Sequence, residues 1–395
     1  MRFLFVSELE PNADSGAAGS ILAIGEALER RGHAVEFLWR EAQARRLSHQ
    51  TLDDLLCLPR RQLRRVDEHL ARNACDVVVV SQPYAYLLFE RLPRRYPSTL
   101  FVNRTHGWED RLDRSRRQLG WARPTRFSRR VLEWASATGR RRASRRSARA
   151  AHGVIACSSA DTSFVVTSYG IPAHRVATIP YGLDAQFRHI AASSAIAKSG
   201  RRMLYVGQYM PMKGSGVLQR LLPVVARRHP GVCMTFVVQR EAVEGVRGFF
   251  EPHFGHRLSV RSWIPREELA TVYCQHDVFL FPSLFEGFGK TFLEAMACGL
   301  CVVGFAEGGL ADIAAPTKEA LSCAVGDEAG FLSLVEQALR DPAGARAIGD
   351  RARLRVRDLS WERNAEETER FCVALAEQRT ALRRRDAAFP AVPGS

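Results

Sequence analysis

The stretch PSLFEGFGKTFLEAMACGLCVV, residues Pro282–Val303, decides how this chain is read. It follows an apolar run, Asp277–Pro282 (DVFLFP), with the look of a strand buried on both faces of a parallel sheet. A loop carrying Glu286, Gly287 and Gly289 comes next, then a helix start near 291. The two glycines leave backbone N–H groups uncovered at the helix N-terminus, where orphan donors and the helix dipole favour an anion. Open α/β sheets bind ligands beyond the carboxyl ends of their strands, which is where such a loop lies. Glu286 and Glu294 are eight residues apart along a mostly helical path, on the order of 12 Å. Carboxyl groups flanking one scissile glycosidic bond stand about 5–9.5 Å apart. The pair therefore suits two points on an elongated ligand, one at a sugar and one at a ribose; a solvated loop Glu and a solvated helix Glu are the plain alternative. Two decoys share the stretch. Gly289-Lys290-Thr291 matches the end of G-x-x-x-x-G-K-[ST], but that pattern needs glycine at 284, where Leu284 stands. Cys298-x-x-Cys301 has no second pair to complete a zinc site, and core cysteines are expected.

Outward from this stretch, strand and helix patterns alternate. In the first half, Met1–Ser7, Ala34–Trp39, Asp76–Ser81, Thr99–Asn103 and Gly153–Cys157 read as strands. A helix over 19–31 is stopped by Gly32. In the second half the pattern restarts with strands Met203–Gly207, Val232–Val238, Asp277–Pro282 and 301–305, and helices Gly216–Arg228 and 291–298. Residues 188–200 lack apolar periodicity and read as a linker, and 380–395 as a frayed tail. The expectation is two α/β, Rossmann-like domains, 1–190 and 200–360, followed by a C-terminal segment 361–395.

Composition narrows the class. The chain has 395 residues, 46% of them hydrophobic and 25% charged, a globular balance. No apolar run reaches the roughly 20 residues of a membrane span, and Met1–Val6 meets Ser7 and Glu8 too early for a secretory leader. Nine scattered cysteines point to a reducing cytoplasm. The net charge of +15 is uneven: residues 1–190 carry 31 basic and 19 acidic side chains, against 26 and 23 in the rest. The segment 111–150 alone holds 14 arginines against Asp113 and Glu133. Phe127, Val131, Trp134 and Ala135 fall on one helix face there. Arg126, Arg130, Trp134 and Arg141 are thus candidates for an anionic membrane surface or a lipid-diphosphate acceptor, with a solvated helix face as the equal alternative. No nucleic-acid reading motif accompanies the charge, and that partner is not expected. Only four lysines occur: Lys198, Lys213, Lys290 and Lys318.

Glu286-Gly-Phe-Gly with Glu294-Ala-Met-Ala-x-Gly resembles the E-x7-E motif of retaining glycosyltransferases of family 4, which have the GT-B fold. Further positions fit in chain order. Val206-Gly207-x4-Met212-Lys213-Gly214 resembles the donor-phosphate loop of that family, and Ser262–Leu269 its segment beside the nucleotide base. Ser158, Ile179–Asp184 and Phe187 resemble the end of its first domain. Thr105-His106-Gly107 resembles its His-bearing loop, Gly32-His33-Ala-Val35 an early landmark, and Trp361-Glu362 the start of its last helices. The likeness runs from residue 1 to about 375. It implies two Rossmann-like domains facing each other across a cleft, the first on the acceptor side and the second holding a nucleotide-diphosphate sugar. It also implies that Glu294 bonds the ribose and that Glu286 and Gly287–Gly289 hold the sugar. Lys213 would neutralise the diphosphate, and His106 would face the sugar or its phosphate.

Gly16, Gln208, Ile264, Phe288, Lys290 and Thr291 complete the implied donor contacts. Transfer would proceed with retention, by same-face displacement without metal or cofactor, to a glycan, lipid-linked or small-molecule acceptor. A cytoplasmic enzyme, peripheral on the inner face of the membrane, fits this reading. Three departures stand out. Gln208 replaces the usual Arg of the phosphate loop, Tyr181 replaces an Asn, and Val237–Arg240 lacks a glycine-rich turn. Gln208 keeps open a catalytically impaired binding protein; a basic membrane or nucleic-acid adaptor is the other alternative.

Overall fold

In the computed structural model, which describes residues 1–40, 50–81, 84–120, 127–187 and 199–388, the apolar runs become two parallel six-stranded sheets flanked by helices. Within the described residues the chain divides into two units. The first comprises Met1–Asp110, Thr125–Ile179 and Trp361–Ser395; the second comprises Arg111–Pro124 and Pro180–Ser360.

The first unit contains β1 (Arg2–Val6), β2 (Ala34–Leu38), β3 (Val77–Val80), β4 (Leu100–Arg104), β5 (Gly153–Ala156) and β6 (Val176–Thr178), in the order β2-β1-β3-β4-β5-β6. The run Val77–Val80 is central and fully buried, as expected of a strand covered on both faces. The first helix spans Gly16–Arg30, three residues earlier than its apolar periodicity indicates, because the Ser15 side chain accepts a hydrogen bond from the Ala18 N–H and caps it. The long helix Trp361–Ala388 packs on Gly16–Arg30. It continues through the stretch after residue 380 that the sequence marks as a tail. Arg104, fully buried at the end of β4, donates to Thr368 Oγ1 and Asn364 Oδ1 of that helix, each at 3.2 Å.

The second unit contains β7 (Arg202–Val206), β8 (Cys233–Val238), β9 (Leu258–Ser262), β10 (Val278–Phe281), β11 (Cys301–Phe305) and β12 (Leu321–Cys323), in the order β12-β11-β10-β7-β8-β9. Its core gathers Met203, Leu218, Phe236, Phe250, Leu280 and Val303. The order reverses between β7 and β10, which pair directly through Met203↔Val278 and Leu204↔Phe279. This is the topological switch point of a doubly wound sheet, and the crevice beyond the carboxyl ends of these two strands is its expected ligand position. The loop after β7 is Gly207–Gly214, and the loop after β10 is Pro282–Gly289. Those are the two loops the sequence singles out. Cys298 and Cys301 are both buried, Cys301 within this core.

Candidate functional site

The two loops touch through backbone. Gly214 has φ 79°, and a Cβ there would lie 2.0 Å from the Pro282 carbonyl oxygen, so only glycine lets the loops approach this closely. Leu284 N–H donates to Met212 C=O at 2.9 Å and ties them further. This approach brings Lys213 to Glu286: its ammonium lies 2.7 Å from both carboxylate oxygens. Ser283 Oγ donates to Glu286 Oε1 at 2.9 Å. Glu286 is 7% exposed and the Lys213 side chain 23%, so the pair is largely withdrawn from water yet reachable from it.

Two helices begin here, Ser215–Arg228 after Gly214 and Lys290–Ala297 after Gly289, and neither has a side-chain hydrogen bond at its N-cap. The Ser215 N–H donates instead to Met210 C=O at 3.3 Å. Gly289 has φ 94°, and a Cβ there would meet the Phe281 ring at 2.7 Å.

Glu294, on the second of these helices, is buried, with one partner on each carboxylate oxygen. Arg266 Nη2 lies 2.7 Å from Oε1, and the Tyr273 hydroxyl donates to Oε2 at 3.1 Å. Arg266 also pairs with Asp184, and its guanidinium stands 5.3 Å from the centre of the Phe187 ring. Burial works against the Arg266 charge, but Glu294 and Asp184 outweigh it and raise its pKa. Burial, reinforced by Glu294, drives the Tyr273 phenol well above its ordinary range, so it stays a donor. Lys290 is nearly enclosed, 3.7 Å from Asp184, and burial lowers its pKa.

A third carboxylate, Glu307, follows β11. Its Oε1 accepts from Arg111 Nη1 at 2.6 Å and from the Glu286 N–H at 3.3 Å. Burial raises the Glu307 pKa against the opposing pull of Arg111.

The structure thus gathers Lys213, Glu286, Gly287–Gly289, Lys290, Thr291 and Glu294 about the switch point of the second unit. Gln208 is exposed on the same post-β7 loop, its C=O accepting from the Tyr205 hydroxyl at 2.9 Å, and Ile264 is half-buried two residues before Arg266. Gly16 and His106 belong to the first unit. Gly16 opens its helix in open space, with nothing within 4 Å of an added Cβ; Gly19 is the tight position, its Cβ 2.2 Å from Ala13 C=O. His106 is half-buried just beyond β4. Arg126 lies outside the described residues, as do 188–198 of the linker expected over 188–200. Arg130 and Trp134 fall on the helix Phe127–Ala150, their side chains outside the description. Arg141 stands 3.7 Å from Asp110 and donates to Thr138 Oγ1. Among the described residues no group of three or more His, Cys, Asp or Glu gathers as a metal site, and no helix is long and apolar enough to cross a membrane.

Sequence reasoning missed Ser283, Tyr273, Arg111 and Glu307. It quoted Asp184 and Arg266 within motifs without giving either a role. No local pattern marks Tyr273, Arg111 or Glu307, because each acts through a partner distant in sequence; Ser283 reaches Glu286 from three residues before it.

Comparison with known proteins agrees with this arrangement. Residues 15–187 match Glycosyltransferase Family 4, and residues 186–355 match Glycosyl transferases group 1. The chain is 28% identical over 253 residues to D-inositol 3-phosphate glycosyltransferase 2 of Catenulispora acidiphila, covering 60% of this chain and 59% of that protein. It is 28% identical over 228 residues to glycogen synthase of Mycobacterium tuberculosis, covering 57% and 55%. It spans somewhat over half the length of these curated relatives. Among solved structures, sucrose-phosphate synthase from Thermosynechococcus elongatus superposes with a TM-score of 0.72 at 21% identity, covering 98% of this chain and 100% of the other. Anabaena Alr3699/HepE in complex with UDP-glucose gives 0.62 at 16% identity, covering 98% and 100%. At such identities the likeness is one of fold. With both halves matched in chain order, the chain has the GT-B fold and is related to Glycosyltransferase Family 4 and Glycosyl transferases group 1.

Proposed function

We propose that the chain is a retaining glycosyltransferase that moves a sugar from a nucleotide-diphosphate donor to a glycan, lipid-linked or small-molecule acceptor. The observation that carries this reading is the Lys213–Glu286 pair at the switch point, set between two helix N-termini that no side chain caps. The diphosphate takes the helix-terminal N–H groups and draws the Lys213 ammonium to itself. That frees the Glu286 carboxylate, with the Gly287–Gly289 backbone, to accept hydrogen bonds from the sugar hydroxyls. Glu294, oriented by Arg266 and Tyr273, receives the ribose. Lys213 and the amide dipoles supply the positive charge at the leaving diphosphate, so the reading requires no metal.

In the transfer itself, the bond from the sugar's anomeric carbon to the phosphate oxygen breaks, and the acceptor oxygen bonds to the same face of that carbon. The departing phosphate takes the acceptor proton. Catalysis then rests on positioning and on electrostatic stabilisation of the leaving group. The printed names of the relatives, a D-inositol 3-phosphate glycosyltransferase and a glycogen synthase, support a sugar-transfer role. The UDP-glucose complex of Alr3699/HepE supports a nucleotide-sugar donor. Gly16 and His106 of the first unit enter the reading through the family resemblance, and the Arg-rich helix Phe127–Ala150 is its candidate for an anionic acceptor or membrane.

A thermal-shift screen of UDP-, GDP- and ADP-sugars tests the proposal, because a ligand that binds the native state raises the melting temperature. One nucleotide class should raise it and should be turned over. Lys213→Ala and Glu286→Ala should each lower turnover by about 10²–10³-fold. Failure of every nucleotide sugar to bind sinks the reading. Binding without transfer or hydrolysis would instead make the chain a binding protein on a GT-B scaffold.

A further inference from the structure

Glu286 is gripped at its side chain by Lys213 and Ser283, and its backbone is held separately. Along the loop 284–288, every second peptide is fixed by a residue from elsewhere in the second unit. The Leu284 C=O accepts from Ser115 Oγ at 2.9 Å, while its N–H donates to Met212 C=O at 2.9 Å. The Glu286 N–H donates to Glu307 Oε1 at 3.3 Å, and the Glu286 C=O accepts from Arg111 Nη2. The Phe288 C=O accepts from Gly309 N–H at 2.8 Å. Arg111 and Glu307 close this frame on each other at 2.6 Å, both side chains nearly buried, and the Arg111 guanidinium lies 4.5 Å from the centre of the Phe285 ring. The turn after Glu307 leaves no slack. A Cβ at Gly308 would stand 2.8 Å from Glu286 Cβ, and one at Gly309 would stand 2.5 Å from the Phe288 ring.

Side chain and backbone of Glu286 thus have independent supports. Lys213 can leave the carboxylate for an incoming phosphate while the loop stays where it is. We infer that Arg111 and Glu307 are positioning residues for sugar recognition: they hold the Glu286–Phe288 backbone so that the released carboxylate meets the sugar rather than relaxing away. This rests on the donor-site reading above and assigns specificity for the sugar portion of the donor to residues that touch no ligand. A guanidinium bridging a carboxylate and a carbonyl at fixed spacing is not replaced by an ammonium, which is a point charge without the planar fork.

The test separates the two halves of the donor. In the full-length protein, calorimetric affinities are compared for the nucleoside diphosphate and for the nucleotide sugar that the wild type binds, alongside kcat and KM. Arg111→Ala should weaken the nucleotide sugar about tenfold and lower kcat, while affinity for the diphosphate alone is unchanged. Glu307→Gln should move both in the same direction by less. Arg111→Lys should recover only part of the loss. Ser115→Ala, which removes one backbone tie and no charge, keeps the test alive should Arg111→Ala fold poorly, and should show a smaller loss confined to the sugar-bearing ligand. Equal losses for both ligands, or no loss for either, overturn the positioning role. If the wild type binds the diphosphate and no nucleotide sugar, the donor reading falls and this inference with it.

Discussion

Charge is arranged differently at the switch point of the second unit and along the arginine-rich helix of the first. In the second, Lys213–Glu286, Arg266–Glu294 and Arg111–Glu307 are drawn out of water around one switch point. In the first, the arginines of the helix Phe127–Ala150 meet partners at or near the surface. Arg140 faces Glu109, Arg146 faces Glu90 and the Tyr86 ring, and Arg149 donates to Tyr169 C=O. Arg142 and Arg145 are exposed. Yet the first half holds nearly all of the excess charge. The contrast teaches that an excess of one sign does not mark the chemistry. An ion pair removed from water is where a ligand's charge can take over an existing interaction with little reorganisation.

The contrast breaks first at Lys213. Lys213→Ala leaves Glu286 buried beside Ser283 without its cation and should lower unfolding free energy by about 3 kcal/mol in denaturant titrations. A Lys213→Met/Glu286→Leu double variant should regain more than half. A single-variant loss below about 1 kcal/mol would make the pair no different from the surface pairs of the first unit. Arg266→Ala, which strips partners from Glu294 and Asp184, should cost about 2 kcal/mol. Gly214→Ala sets a Cβ against the Pro282 carbonyl at φ 79° and should cost a further one, about 1–3 kcal/mol in strain, while separating Lys213 from Glu286.

The first unit carries its own pH signature. Burial, followed by Arg379, Arg175 and Arg383, pushes the His152 pKa down to about 3 from 6.5, and its Nδ1 accepts the Phe101 N–H at 3.0 Å. The unfolded chain takes up that proton before the native one, so His152 contributes stability above pH 6.5 that is lost as pH falls toward 3. His152→Asn should flatten the fall in melting temperature across this window; an unchanged pH profile would refute the assignment. The smallest effect is expected at Arg142→Gln/Arg145→Gln, under about 0.5 kcal/mol and without change in donor affinity. Reduced flotation of that variant with anionic vesicles at low salt would instead give the exposed arginines a membrane role.

Nine of the twelve described strands were legible in the sequence to within a residue or so at their ends; the short or exposed β6, β9 and β12 were not. Continuous β-branched runs have few alternatives to a buried strand, and glycine-flanked acids at a strand's carboxyl end have a limited set of uses. The Ser15 cap and the long final helix were less legible, since a cap and a tertiary docking surface both override periodicity. The site's supporting residues were not legible at all. Arg111 is 175 positions from Glu286, and Tyr273 is an ordinary apolar-face tyrosine in a helical pattern.

From the sequence alone came two α/β halves and the glycine-flanked Glu286 loop, because those depend on local periodicity, turn chemistry and residue type; the weight given to Lys213 came from a family resemblance. Tertiary structure alone decided that β7 lies beside β10, and so that Lys213 closes on Glu286 across 73 residues. It also decided that Glu294 is met by Arg266 and Tyr273, and that Arg111 and Glu307 brace the loop from outside. Strand order is a property of the whole sheet, and a buried charge finds its partner only where that order brings the loops together.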